Sequence, residues 1–88
     1  MIFMADVIVT FKVMPASTDV DLDRLEEKVK NAIFPERIVR EPIAFSIVAL
    51  KVTKLMPDAE GVLEDAEKKL RAVDCVGEVE VEEMGRSL

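Results

Sequence analysis

The alternation of apolar and polar positions changes period four times along this chain, and the order of those changes predicts a fold. From Asp6 to Met14 the residues DVIVTFKVM put Val7, Val9, Phe11 and Val13 on one face, the period of a half-buried strand, and Pro15 stops it. After a short link from Pro15 to Asp19, the residues Leu22, Leu25, Val29, Ala32 and Ile33 recur at helical spacing, with charged residues mostly on the other sides. Asp19 or Asp21 stands where a side-chain oxygen can accept from the first free N–H groups of that helix. Pro35 ends it, because proline cannot continue the ladder and turns Phe34 away from helical geometry.

A short, partly charged strand is expected over Arg37 to Glu41, with Pro42 at its end, as an edge strand tolerates. From Phe45 to Met56 (FSIVALKVTKLM) a second long strand turns Val48, Leu50 and Val52 inward and Lys51 and Thr53 outward. A second helix is predicted from near Gly61 to near Asp74, with Leu63, Ala66, Leu70 and Val73 on one stripe. The last strand, Gly77 to Met84, should point Val79 and Val81 inward and Glu78, Glu80 and Glu82 outward. The order is β-α-β-β-α-β. Two right-handed β-α-β units of this kind give an α+β, ferredoxin-like sandwich: a four-stranded antiparallel sheet, strand order 4-1-3-2, with both helices on one face and the other face open.

Composition narrows the function. The 88 residues are half hydrophobic and one-third charged, which suits a single globular domain spanning residues 1–88. Met4 is a second candidate start, which would make residues 1–3 an extension without functional weight. No histidine is present, so neutral-pH proton shuttling and the commonest metal ligand are missing. The one cysteine, Cys75, has no partner for a disulfide and reads as a small buried hydrophobe at a helix end, compatible with a reducing cytoplasm. No apolar run approaches the ~18 residues of a membrane span. A net charge of -6 disfavours a phosphate-backbone ligand and suits a neutral or basic protein partner.

Each cluster that might carry chemistry has a simpler reading. Glu78, Glu80, Glu82 and Glu83 invite a metal, yet alternate strand residues project in parallel about 6.6 Å apart and do not converge on one ion. They read better as charges that keep an outer strand from pairing with another chain. Asp19, Asp21 and Asp23 imitate a calcium loop, but Arg24 and Lys30 occupy the positions that need glycine and glutamate. The serines have no histidine base, and the three glycines are too scattered to cradle a phosphate. Two features remain. Glu41-Pro42-Ile43-Ala44-Phe45-Ser46 sets an aromatic among small residues at a turn, either the first core residue of a strand or an exposed anchor. Near the C-terminus, Arg86 is an isolated cation after an acidic strand, freed by Gly85.

The chain resembles the archaeal elongation factor 1-beta family, which corresponds to the C-terminal exchange domain of the larger eukaryotic factor. The resemblance runs from about Met4 to Leu88 through the first strand ADVIVTFKVMP, the helix start DVDLDRLEEKV, the turn and strand EPIAFSIVALKV, and the closing valine-glutamate strand. It implies the ferredoxin-like fold and a guanine-nucleotide exchange factor acting in translation on elongation factor 1-alpha, cytoplasmic, without covalent chemistry, cofactor or metal of its own. It also implies a monomer that binds neither nucleic acid nor membrane. By the same resemblance Phe45, with Pro42, Ala44 and Ser46 around it, packs into the partner GTPase, and Arg86 is the basic residue that approaches the partner's magnesium site. Family turns commonly carry glycine where Ser46 stands, and the eukaryotic domains carry a lysine next to last, where this chain has Ser87. The alternative is a regulatory domain of the same fold that binds a small ligand.

Overall fold

The computed structural model describes residues 6–44 and 46–86, the last of these by its backbone alone. Its elements follow the expected order: β1 (Asp6–Pro15), α1 (Leu22–Ile33), β2 (Arg37–Ala44), β3 (Ile47–Pro57), α2 (Val62–Arg71) and β4 (Val76–Arg86). The strands form one antiparallel sheet in the order β2-β3-β1-β4, so the two apolar strands β1 and β3 occupy the centre. Val9, Phe11 and Val13 on β1 are wholly buried and Val7 nearly so. On β3 the same face carries Leu50, Val52 and Met56. The alternating residues in between line the open face, where Ile8 faces Leu55, Thr10 faces Thr53 and Lys12 faces Lys51.

Both helices close the other face. Asp21 caps α1, its carboxylate accepting from the backbone N–H of Asp23 at 3.0 Å, and Leu25, Val29 and Ile33 one turn apart bury themselves against β1 and β3. The helix stops at Phe34, whose N–H donates to the Lys30 carbonyl at 3.0 Å from a left-handed conformation, φ 49°. Ahead of Pro35 the right-handed helical well is disfavoured, which explains why the helix stops there. α2 starts after Gly61, which sits at φ 85° and offers no side-chain cap, and it buries Ala66 and Leu70. Among the described residues no helix is long and apolar enough to cross a membrane.

Four details depart from the sequence expectation, each for a local reason. β2 runs on through Pro42 to Ala44, because it is an edge strand whose outer side has no ladder to lose. α2 ends three residues early, at Arg71. Tighter turns follow, Val73 N–H to the Leu70 carbonyl and Val76 N–H to Val73, and bring the chain back beside β1. Cys75 is exposed, not buried: it occupies the turn itself at φ 75°, and its carbonyl accepts from the Ala16 N–H at 2.7 Å. β4 holds Val79 inward as expected, but one extra residue enters beyond Val81. Val81 still faces Phe11, while Thr10 faces Glu83. Val81 lies on the core side and remains 36% exposed because β4 is an edge.

Gly77 and Ser46 show what the backbone demands. A Cβ on Gly77 would lie 2.9 Å from both Ala16 Cα and the Pro15 carbonyl oxygen, backbone atoms that cannot swing away. Gly77→Ala should therefore lower stability by about 1–3 kcal/mol, read as a shift of the urea midpoint at constant slope. Ser46 adopts φ 63° in the two-residue connection between β2 and β3. There a Cβ costs about 1 kcal/mol, which glycine avoids at some expense in unfolded-state entropy. Ser46→Gly should raise stability by up to about 1 kcal/mol in the same measurement, and no gain would mean that the serine side chain makes good the strain.

Candidate functional site

The β2–β3 connection forms one end of the molecule. Ala44 faces Ile47 across it, a register shift lies between Pro42 and Ala44, and Pro42, Ala44 and Ser46 are all exposed. The positive φ of Ser46 is a backbone geometry for which glycine is suited, and serine supplies it here under strain. Ser46 shares a small hollow with Pro15, Ser17, Thr18 and Val20, so the turn packs beside the link that leads into α1. Phe45 itself lies outside the described residues.

Arg86 lies at the other end. Its backbone pairs with Val7 at the start of β1, while Gly85 pairs with Ile8. Among the described residues, chain neighbours aside, no atom lies within 4 Å of where a Cβ on Gly85 would stand, beside Ile8, Thr10 and Glu83. The Arg86 side chain falls outside the described residues. Val13 faces Leu50, so the turn near Ile47 lies beyond the far end of β1. At the strand rise it is about 30 Å from Arg86. The residues expected to bind the partner thus form two separate regions, one at each end of the long axis.

Between them the open face carries paired charge. Lys12 and Lys51 face each other directly, which alone would be repulsive. Carboxylates surround them: Glu41 lies 3.2 Å and Glu82 3.5 Å from Lys51 Nζ, and Glu80 faces Lys12. The hydrogen bond that Lys51 donates to Glu41, with the charge of Glu41 and Glu82, raises the Lys51 pKa. On the helix side Arg40 bridges β2 to α1, donating from Nε to Glu26 at 2.6 Å and from its terminal nitrogen to Asp23, and its pKa is raised by those same two bonds. Both cations are thereby kept charged. Glu82, one of the strand's glutamates, is partnered by Lys51, while Glu78 and Glu83 face Met14 and Thr10. Among the described residues no three potential ligands are grouped to hold a metal ion. Such an arrangement offers surface and charge for binding.

One exposed residue escapes the hydrophobic pattern altogether. Phe34 is 72% exposed at the C-terminal cap of α1. The available signal was an aromatic set between the last core position of a helix, Ile33, and a proline.

The EF-1 guanine nucleotide exchange domain matches residues 8–86, the whole span from β1 to the end of β4. Elongation factor 1-beta of Methanosphaera stadtmanae is 45% identical over 86 residues, covering 94% of this chain and 98% of its own. The factor of the same name from Methanothermobacter thermautotrophicus is 44% identical over 88 residues, with the same coverage. That of Thermococcus onnurineus is 48% identical over 81 residues, covering 85% of this chain and 88% of its own. Fold, length and sequence agree, and the chain belongs to the elongation factor 1-beta family, whose guanine nucleotide exchange domain makes up nearly all of it.

Proposed function

We propose that this protein promotes GDP release from elongation factor 1-alpha, so that GTP can reload it, by gripping the GTPase at both ends of the sheet. The observation that carries the proposal is the β2–β3 hairpin, with Pro42, Ala44 and Ser46 exposed at one end of a sheet whose other end closes with a basic residue. A partner that touches both must lie along the long axis. Phe45 is the anchor in this reading, an aromatic held by a two-residue turn, and Arg86 is the cation that disfavours the magnesium-bound arrangement of the nucleotide site.

No catalytic side chain is required. GDP is held largely through its phosphates and their Mg²⁺, so a factor that binds the nucleotide-free GTPase more tightly than the loaded one lowers GDP affinity by the ratio of those two affinities. Linkage makes the effect reciprocal: incoming nucleotide displaces the factor by that same ratio. The paired charges of the open face, held on three strands, stiffen the lever between the two contacts.

Release of a fluorescent GDP from elongation factor 1-alpha, with and without this protein, tests the activity directly. Phe45→Ala should weaken binding by about 2 kcal/mol, roughly 30-fold, with the fold intact; an unchanged dissociation constant would remove Phe45 from the interface. For the other contact Arg86→Ala is the cleaner variant, because deleting residues 85–88 would also strip two residues paired with β1. It should slow stimulated GDP release more than it weakens binding, and an undiminished rate excludes the role.

A further inference from the structure

The register shift in β4 has its partner on the far side of the central strand. Val81 faces Phe11 and Glu83 faces Thr10, so Glu82 between them is the one residue from Val79 to Arg86 without a counterpart on β1. In a bulge of this kind two residues oppose one, and the in-out alternation of the strand is reset. The carboxylate of Glu82 stands on the open face, 3.5 Å from Lys51 Nζ. Lys51 belongs to β3 and β1 lies between, so the pair spans about 10 Å of sheet. The same ammonium lies 3.2 Å from Glu41, the residue before Pro42 on the way into the β2–β3 hairpin.

The apolar pattern of β4 chooses only weakly between this bulge and an unbroken ladder. Past Val81 an unbroken ladder would set Glu82 opposite Thr10, Glu83 opposite Val9 and Met84 opposite Ile8. That turns a carboxylate toward the helix side, a steep cost in a core and a mild one on an edge strand, where Met84 is 56% exposed. The bulge has a cost of its own, since it sets the carboxylates of Glu82 and Glu83 side by side on the open face. Lys12 faces Glu80, and the cation that Glu82 meets is Lys51. One exposed ion pair shifts an equilibrium by up to about fivefold, too little to hold a fold and enough to choose between two registers so close. We infer that Lys51 is a positioning residue for the C-terminal contact: by holding Glu82 it fixes the register in which Gly85 and Arg86 close beside β1, and through Glu41 it joins that register to the hairpin. The inference rests on the exchange reading above and names the side chain that keeps its two contacts in step.

The test has a structural arm that needs no GTPase. In the wild-type protein, nuclear Overhauser contacts between Thr10 and Glu83 and between Ile8 and Gly85 report the bulged register. Lys51→Met and Glu82→Gln remove the pair from either side. Both should weaken those contacts and speed amide hydrogen exchange over residues 83–86 by about threefold to fivefold, while the β1–β3 amides keep wild-type rates. Lys51→Arg should restore the closing segment, and Lys69→Met, which breaks an exposed ion pair with Asp65 on α2, should leave it untouched. The functional arm reads fluorescent-GDP release from elongation factor 1-alpha at saturating factor. Lys51→Met should slow release by about threefold, with a dissociation constant within about twofold of wild type. In an Arg86→Ala background it should slow release no further, because a residue that acts through another adds nothing once that other is gone. Wild-type contacts and exchange rates over residues 83–86 in both Lys51→Met and Glu82→Gln would overturn the inference. So would an unchanged release rate, or a loss in the Arg86→Ala background as large as without it, which would make Lys51 a stabiliser of the sheet at large. If the wild-type protein does not stimulate release, the exchange reading falls and the positioning role with it, while the structural arm still decides whether Lys51 sets the register.

Discussion

Everything in this domain depends on burying one side of β1. Val7, Val9, Phe11 and Val13 are covered by Leu25, Val29 and Ile33 of α1 and by Ala66 and Leu70 of α2. At roughly 1.5–3 kcal/mol for each large side chain removed from water, that row outweighs any surface ion pair in the molecule. Because β1 is also the strand that pairs with both β3 and β4, its register decides which residues of its neighbours reach the core. The two ends of β1 in turn set where the exposed turn and the close of β4 lie.

That dependence explains how much was legible in the sequence. The row in β1, the α1 stripe and the proline stops are local patterns with fixed periods, and the strand order follows from them through the handedness of two β-α-β crossovers. What escaped was decided by contacts between distant segments. Cys75 looks like the last apolar residue of a helix, but the need to bring Val76 alongside Pro15 forces a turn there. The extra residue in β4 coincides with the doublet Glu82-Glu83, where the valine-glutamate alternation breaks, but a break in alternation alone does not say whether the strand ends there or carries an added residue. The connection between β2 and β3 falls in the segment that Pro42 and its small neighbours marked as a turn. Its distance from Arg86 became visible only once the antiparallel registers were known.

A rigid body with contacts at both ends acts differently from one with a single patch. Three of the four strands are joined across the open face by Lys51, and β2 is joined to α1 by Arg40, which opposes bending along the axis from the hairpin to the close of β4. Closing one contact then restricts where the other can be. In the exchange reading proposed above, such a body would favour the partner conformation whose two docking points match its length, which is the differential binding that exchange requires.

The extra residue in β4 bears on how sequences of this kind diverge. It reverses the in-out parity of everything after Val81, so that Met84 comes to face Val9 and the helix side, where an unbroken ladder would have set it opposite Ile8 on the open side. Loss of a single codon in that strand would leave almost all of the core untouched and almost all of the alignment intact. It would nonetheless turn the closing segment over. The spacing between Val81 and Arg86, counted odd or even, therefore decides which side of the sheet the closing residues face, and comparison by percentage identity does not register it.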